Sequence, residues 1–188
     1  MDRTSERQAF RRLADLLDYP RPGLAETAAE CVALLASSSP DAAEAVGEFA
    51  AFARQCPAGR LEEIYTGAFD LDAACHPYVG YHLFGESYKR SVFLLEIKER
   101  LRAHGVDIGS ELPDHLAAVL RLLAVTEDVE LADELIGMAV MPALAKMTGE
   151  DTERERHPYH GVLLAVRLVL EEHVTEAVPA TEAGSSHA

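Results

Sequence analysis

Apolar residues recur at intervals of three and four along most of the chain, and no stretch shows the sustained alternation that is typical of strands. The positions between them are filled mainly by Ala, Leu, Glu and Arg, which are strong helix formers. The pattern predicts an all-α protein, a single-domain bundle of about eight to ten helices over residues 1–174. A flexible tail of small and polar residues is expected at 175–188.

Capping residues, glycines and prolines between the apolar stripes set the predicted helix boundaries. The predicted helices run from the cap Ser5 to the turn Tyr19-Pro20, from Leu24 to Ala36, from the cap Asp41 to the residue before Pro57, from Leu61 to Phe69, from Ser87 to His104, and from Tyr159 to His173. Two further stripes consist of Leu116, Val119, Leu120 and Leu123, and of Leu131, Leu135, Met138 and Ala139 before Pro142 bends or ends the helix. The last helix is apolar on most sides, which predicts a central position.

The stretch GSELPDHL at residues 109–116 leads into the first of those two stripes. A helix that begins at Ser110 or Leu112 would place Pro113 in its first turn, where proline is tolerated. Asp114 would then lie near the positive end of the helix dipole, which typically contributes ~0.3 to 1 kcal/mol. This account gives His115 no role.

The net charge of −15 is unevenly distributed. From Glu111 to the end there are 15 acidic and 5 basic residues, which leaves −5 for the first 110. An acidic balance argues against nucleic-acid binding and suits solubility or a basic partner. Because the chain shows neither an export signal nor a membrane span, we expect a soluble, cytoplasmic protein that does not insert into a membrane.

Few residues suggest catalytic or metal chemistry. Cys31, Cys56 and Cys75 are odd in number and widely spaced, which argues against a disulfide framework or a zinc ribbon. The paired Glu-x-x-His pattern of di-iron bundles and the glycine-rich phosphate loops are missing. We therefore expect no enzyme activity, no metal and no cofactor. A small helical metal or cofactor carrier that uses Cys75, His76 and His82 is the alternative.

Aromatic residues crowd one part of the chain. Five of the twelve Tyr and Phe residues, namely Tyr65, Phe69, Tyr78, Tyr81 and Phe84, lie within twenty positions. Such a concentration is found in hydrophobic cores, and it is also found in grooves that hold the apolar side chains of a peptide. The spacing alone leaves both interpretations open.

Three motifs in this order resemble a known family. They are YxxxFD at residues 65–70, FGES at 84–87 followed by Arg90, and ELPDHL at 111–116. The set resembles the redox-enzyme maturation chaperones of the NarJ, TorD and DmsD type, which include the delta subunit of respiratory nitrate reductase. The likeness extends over residues 5–172.

The resemblance implies an all-helical chaperone, not an enzyme, that acts in anaerobic respiration. Its partner would be the apo catalytic subunit of a molybdopterin oxidoreductase, bound through an N-terminal peptide that carries or descends from a twin-arginine signal. It would hold this client ready for molybdenum cofactor insertion before export or membrane docking, and it could also meet cofactor delivery proteins. A permanent accessory subunit of a redox complex is a further alternative.

The resemblance also assigns candidate client-binding residues. Tyr65, Phe69, Tyr81 and Phe84 would receive the apolar half of the client peptide. Glu111, Asp114 and His115 would meet its basic half, where carboxylates form charge-assisted hydrogen bonds with arginine. Lys89 and Arg90 are expected to form surface salt bridges.

Overall fold

The structure is a computed structural model that describes residues 2–71, 75–149 and 157–177. The described residues form α-helices and no strand, as predicted. The helices are α1 (Arg3–Leu16), α2 (Leu24–Leu35), α3 (Pro40–Gln55), α4 (Ala58–Thr66), α5 (Val79–Phe84), α6 (Tyr88–Ala103), α7 (Leu116–Leu123), α8 (Val129–Glu134), α9 (Met141–Met147) and α10 (His160–Ala177). Two π-helical segments, Gly67–Leu71 and Leu135–Val140, extend α4 and join α8 to α9.

The core lies between α1, α2, α3, α7 and α10. Helix α10 contacts α1, α3 and α9, which confirms its predicted central position. Its residues Val162, Val166 and Val169 are completely buried. Helix α7 packs against α1, and the predicted stripe of Leu116, Val119, Leu120 and Leu123 is buried there.

Helices α5 and α6 lie at one side of this core. Helix α5 packs against α6, α9 and the second π-helical segment, whereas α6 packs against α5 and α7. Ile97 and Leu101 of α6 are buried as predicted, while Phe93 and Leu94 are only partly buried. The opposite face of α6 is exposed to solvent.

Two predicted helix caps were wrong. Helix α1 is capped by Asp2, not Ser5: the Asp2 carboxylate accepts hydrogen bonds from the backbone N–H groups of Thr4 and Ser5 at 2.9 and 3.2 Å. Because Asp2 supplies the oxygen that the first turn requires, Ser5 lies inside the helix. In α3 the cap position belongs to Ser39, and Asp41 lies in the first turn after Pro40.

The stripe predicted before Pro142 was partly wrong. Leu131, Leu135 and Ala139 are buried, but Met138 is 74% exposed. Met138 lies inside the π-helical segment Leu135–Val140, where the backbone bonds to i+5 change the angle between successive side chains, so the α-helical spacing no longer places this residue on the buried face. The chain also stays helical through Pro142 and reaches Met147.

Two further expectations from the sequence concern the C-terminal tail and membrane spans. The tail was predicted at residues 175–188, but α10 continues through Ala177, so residues 175–177 are helical. The rest of the predicted tail, residues 178–188, lies outside the described residues. Over the parts of the chain that are described, no helix has both the length and the apolar character needed to cross a bilayer.

Candidate functional site

The ELPDHL motif contacts the residues at the start of α5. The backbone N–H of Val79 donates to the Asp114 carbonyl at 2.8 Å, and the N–H of Leu116 donates to the Pro77 carbonyl at 2.7 Å. These two bonds form an isolated antiparallel bridge between Tyr78 and His115. The bridge brings the start of α5 against the residues that precede α7. We call this contact, with Arg90 of α6, the junction.

An ion pair lies at the centre of the junction. The Asp114 carboxylate is fully buried and accepts hydrogen bonds from Arg90 Nε at 2.9 Å and from an Arg90 terminal nitrogen at 3.4 Å. Such a two-point contact fixes the guanidinium in one plane. In the described conformation Asp114 therefore faces Arg90 rather than solvent, and Arg90 forms a largely buried pair instead of the expected surface salt bridge.

Gly80 makes this close packing possible. A Cβ atom at this position would lie 2.8 Å from Asp114 Oδ2, 2.9 Å from Phe93 Cδ1 and 3.3 Å from Arg90 Cγ. Ordinary van der Waals contacts are longer than these distances. Any side chain at residue 80 would have to push α5 away from the ion pair.

Two tyrosines complete the environment of Arg90. Its guanidinium carbon lies 5.6 Å from the ring centroids of both Tyr78 and Tyr81, within the range of cation–π attraction. The Tyr78 hydroxyl donates to Glu111 Oε1 at 3.0 Å. Burial, together with the Glu111 carboxylate, raises the pKa of Tyr78 to about 12. Tyr78 thus links the ion pair to Glu111.

His115 is the N-cap of α7. Its Nδ1 atom accepts a hydrogen bond from the Ala117 N–H at 3.1 Å, so the helix begins at Leu116 and not at Ser110 or Leu112 as predicted. The side chain is only 3% exposed. Burial lowers the pKa of His115, which favours the neutral ring that can accept this bond. The residue that the sequence left unexplained is thus the capping residue.

A cleft opens beside the junction and has a volume of about 580 Å³. Tyr19, Tyr65 and Tyr78 contribute aromatic surface to it. Its lining consists of Asp18, Tyr19, Arg21, Tyr65, Asp70, Pro77, Tyr78, Asp107, Ile108, Gly109, Ser110, Glu111, His115, Ala118 and Arg121. The residues from 107 to 111 form one wall, which follows the end of α6.

The cleft has more carboxylates than cations. Asp18, Asp70, Asp107 and Glu111 line it together with two arginines, Arg21 and Arg121. The Arg121 guanidinium already donates hydrogen bonds to Asp18, one of them at 3.1 Å, and to Asp15 at 3.1 Å. Since the neutral His115 adds no charge, the surface attracts cations.

The predicted client-binding residues separate into groups. Tyr65, Glu111 and His115 line the cleft. Phe69 is 1% exposed and lies in a buried cluster with Tyr65, Tyr159 and Phe49. The Tyr65 hydroxyl donates to the Leu17 carbonyl at 3.0 Å, which fixes the ring between this core and the cleft.

Tyr81 and Phe84 do not line the cleft. Tyr81 packs against Arg90 and against the His76 ring at 5.4 Å, and Phe84 packs against Phe93 at 5.8 Å. Both side chains are half-buried. The structure therefore does not bring all seven predicted residues to one surface.

Cys75, His76 and His82 are the residues of the alternative hypothesis, a metal or cofactor carrier. Each of them contacts a backbone carbonyl. Cys75 Sγ lies 3.8 Å from the Met147 carbonyl, His76 Nδ1 lies 2.7 Å from the Phe69 carbonyl, and His82 Nε2 lies 2.7 Å from the His76 carbonyl. Within the described ranges, no group of three or more His, Cys, Asp or Glu side chains could hold a metal ion.

Sequence reasoning missed several of these site residues. Asp18 is far from Glu111 in the chain, and Asp70 was noted only as the last residue of the YxxxFD motif. Asp107 lies four residues before Glu111 but belongs to none of the three motifs. Arg90 was considered, but its partner Asp114 lies 24 positions away. Gly80, which lies between Tyr78 and Tyr81 in the sequence, was an available signal, since a glycine often stands where the backbone approaches other atoms closely.

Comparison with known proteins identifies the family. The model of the family described as "Nitrate reductase delta subunit" matches residues 35–176, which is more than half of the chain. The chain belongs to the nitrate reductase delta subunit family. The matched residues 35–176 of the chain contain the whole junction, including Gly80, Arg90, Asp114 and His115.

Two curated relatives are similar to the chain. The nitrate reductase molybdenum cofactor assembly chaperone NarJ of Escherichia coli (strain K12) is 28% identical over 144 residues, and the protein of the same name from Escherichia coli O157:H7 has the same identity. The aligned region covers 74% of this chain and 60% of each relative. The chain therefore spans less than two thirds of the relatives' length.

Proposed function

We propose that this chain is a cytoplasmic chaperone that binds the apo catalytic subunit of a molybdenum oxidoreductase, such as a nitrate reductase, and catalyses no reaction itself. It would keep this client competent for insertion of the molybdenum cofactor before export or membrane docking. Membership of the nitrate reductase delta subunit family supports the proposal. So do the two relatives, whose names describe assembly chaperones for this cofactor in nitrate reductase.

The acidic cleft is the proposed client site, and its surplus of carboxylates beside tyrosine rings carries the proposal. An N-terminal client peptide of the twin-arginine type has basic residues next to apolar ones. Asp70, Asp107 and Glu111 offer carboxylates for the basic residues. Tyr65 and Tyr78 offer apolar and cation–π surface for the remainder.

The junction would then act as the support of this cleft. The ion pair of Asp114 with Arg90 holds α5 and α6 against the start of α7, and the bond from Tyr78 positions Glu111. Asp114, which is fully buried against Arg90, would support the cleft without contacting the client. Contacts of Tyr81 and Phe84 with another part of the client remain predictions from the family resemblance.

Peptide binding tests the cleft. Fluorescence anisotropy would measure the affinity of labelled N-terminal peptides of molybdenum oxidoreductase catalytic subunits from the source organism. We expect the double variant Asp107→Asn/Glu111→Gln to weaken binding about tenfold or more at low salt, with a smaller loss at high salt because the encounter is electrostatic. Glu48→Gln, at an exposed α3 position outside the cleft, is the matched control.

Equal affinities of the double variant and the wild type would remove the cleft from the proposal. Co-expression with the catalytic subunit tests the chaperone function itself, read as the molybdenum content of the purified enzyme with and without this chain. We expect a cofactor-poor enzyme without it, and we expect the chain to be missing from the mature enzyme. Its stoichiometric presence there would instead favour a permanent accessory subunit.

A further inference from the structure

The outward face of α6 exposes a row of apolar side chains. Tyr88, Val92 and Leu95 are 83%, 49% and 58% exposed. Their spacing of four and three places them on one side of the helix, and continuing this spacing leads to Glu99 and Arg102. Single exposed apolar residues are common on proteins, but a continuous row on one helix marks an interaction surface.

The same helix is basic in an acidic protein. It contains five Lys and Arg residues and two Glu residues, whereas the whole chain carries a net charge of −15. Arg90 is bound to Asp114 and Arg100 to Glu96. The other three cations, Lys89, Lys98 and Arg102, form no ion pair with any described residue, and all three are exposed.

A groove adjoins this face at the end of α6. It has a volume of about 580 Å³ and lies between Lys98, Leu101 and Arg102 on the helix and the segment of residues 105–113. Leu112, at 42% exposure, is part of its apolar lining. Asp107 and Glu111 belong to the same wall, where Asp107 accepts from the Gly109 N–H and Glu111 accepts from the Tyr78 hydroxyl. The cations that border the groove, Lys98 and Arg102, come from α6.

We infer that the outer α6 surface, defined by Tyr88, Val92, Leu95, Lys98 and Arg102, binds an acidic amphipathic segment of a protein partner. Charge complementarity determines this choice, since unpaired cations flank the apolar row. Glu99 lies within the row between Leu95 and Arg102, and it would face the headgroups of a flat anionic bilayer. A protein segment can place an apolar or polar side chain opposite Glu99 and its acidic side chains opposite Lys98 and Arg102. A flat anionic bilayer presents negative charge to all three positions, so a protein segment fits the surface better.

This surface is separate from the proposed client cleft. The segment of residues 105–113 lines the groove on α6, and its residues 107–111 also form a wall of the cleft. Residues 107–111 thus lie between the acidic cleft and the groove that Lys98 and Arg102 border. The inference does not depend on the client proposal, because it rests on the side chains of α6.

A designed peptide tests the inference with the full chain. The probe is a labelled, capped peptide of about fifteen residues, long enough to form a helix, with leucines at every third or fourth position and glutamates elsewhere. We expect saturable binding by fluorescence anisotropy at low salt. The charge-reversal variant Lys98→Glu/Arg102→Glu and the variant Leu95→Ser should each weaken it about tenfold, the latter because one buried Leu contact is lost.

Two matched controls make the result specific. Val129→Ser removes an apolar residue of α8 that is 46% exposed, and it should leave the affinity unchanged. A probe with lysines in place of the glutamates should not bind the α6 surface. All the substituted positions are exposed, so unchanged circular dichroism is expected and a loss of binding would report the surface itself.

Four outcomes would overturn the inference. The first is no saturable binding of the acidic probe. The second is binding that the α6 variants leave intact but that Asp107→Asn/Glu111→Gln abolishes. The third is flotation with phosphatidylglycerol vesicles, sensitive to Leu95→Ser, without peptide binding. The fourth is concentration-dependent self-association in sedimentation equilibrium that Leu95→Ser removes, which would assign the surface to a second copy of the chain.

Discussion

Two aromatic clusters share the region of residues 65–84 and are stabilised in different ways. The inner cluster, Phe49, Tyr65, Phe69 and Tyr159, has ring centroids 4.8 to 5.5 Å apart and contains no charged group. The outer cluster, Tyr78 and Tyr81, encloses the guanidinium of Arg90.

The comparison shows that the spacing of aromatic residues in the sequence does not distinguish a hydrophobic core from a binding site. Tyr65 and Phe69 of the inner cluster and both residues of the outer cluster belong to the same twenty-residue region, and the family resemblance assigned members of both clusters to one groove. Phe69 is buried and packs against the rings of Tyr65, Tyr159 and His157, whereas Tyr78 makes contact with Arg90, Glu111 and the cleft. The charged partners, which come from distant parts of the chain, distinguish the two. Substitutions in the two clusters and among their neighbours should therefore differ in their effects.

Phe69→Ala should have the largest effect on stability. Truncating a fully buried phenylalanine typically costs about 3 to 5 kcal/mol. Chemical denaturation would measure the loss, which should be the same at low and high salt because the cluster is apolar. Phe84→Ala, at a half-buried ring that contacts Phe93, is the matched control and should cost clearly less. A loss below that of Phe84→Ala would place Phe69 outside the core.

Asp114→Ala should cost about 3 kcal/mol, because it leaves the largely buried Arg90 without its partner. The double variant Asp114→Ala/Arg90→Met removes both charges and should recover a large part of this loss. The double-mutant cycle, measured by denaturation, isolates the pair. Additive losses would mean that the two side chains do not depend on each other.

Gly80→Ala should cost about 1 to 3 kcal/mol by overpacking the junction. In the Asp114→Ala background the cost should fall, since one of the atoms that the new Cβ approaches has gone. Gly137→Ala is the matched control, because nothing lies within 4 Å of a Cβ at that position. We expect the control to be neutral or slightly stabilising. Equal effects at both glycines would argue against close packing at the junction.

The smallest expected effect is the acid sensitivity that His115 confers. Burial lowers the pKa of His115 below its ordinary 6.5, so the unfolded chain takes up a proton before the folded one does. Its contribution to the free energy of unfolding is therefore complete above pH 6.5 and is lost as the pH falls toward the folded-state pKa. His115→Asn keeps a capping side chain and removes the titration.

Denaturation at several pH values would compare the two proteins. As the pH is lowered below 6.5, the free energy of unfolding should fall more for the wild type than for His115→Asn. His173 provides an internal contrast, because its hydrogen bond to Glu6 raises its pKa, so its contribution is lost as the pH rises instead. Parallel pH profiles for wild type and His115→Asn would contradict the assignment.

Much of the fold could be predicted from local sequence. The bounds of α2 and α6 lie within one residue of the predicted ones, because apolar spacing and helix stops act over a few positions. The errors have local causes as well. Asp2 and Ser5 are both good caps, and the sequence does not say which one the helix uses. The π-helical turn before Pro142 changed which face carries Met138.

Less of the candidate site could be predicted. Tyr65, Glu111 and His115 do line the cleft, but Asp18 and Asp70 lie beside Glu111 only because the chain folds back on itself. Asp114 is an exposed-looking residue in a polar turn, and only its burial shows that it is paired with Arg90.

The sequence by itself determined that the protein is helical, where most helices lie, and that three motifs occur in a family order. These features depend on propensities and spacings between near neighbours. The tertiary structure decided which aromatic residues are core, which carboxylates face solvent and which cation Asp114 binds. Those outcomes depend on contacts between residues far apart in the chain, where burial makes an unpaired charge costly and so selects the partner.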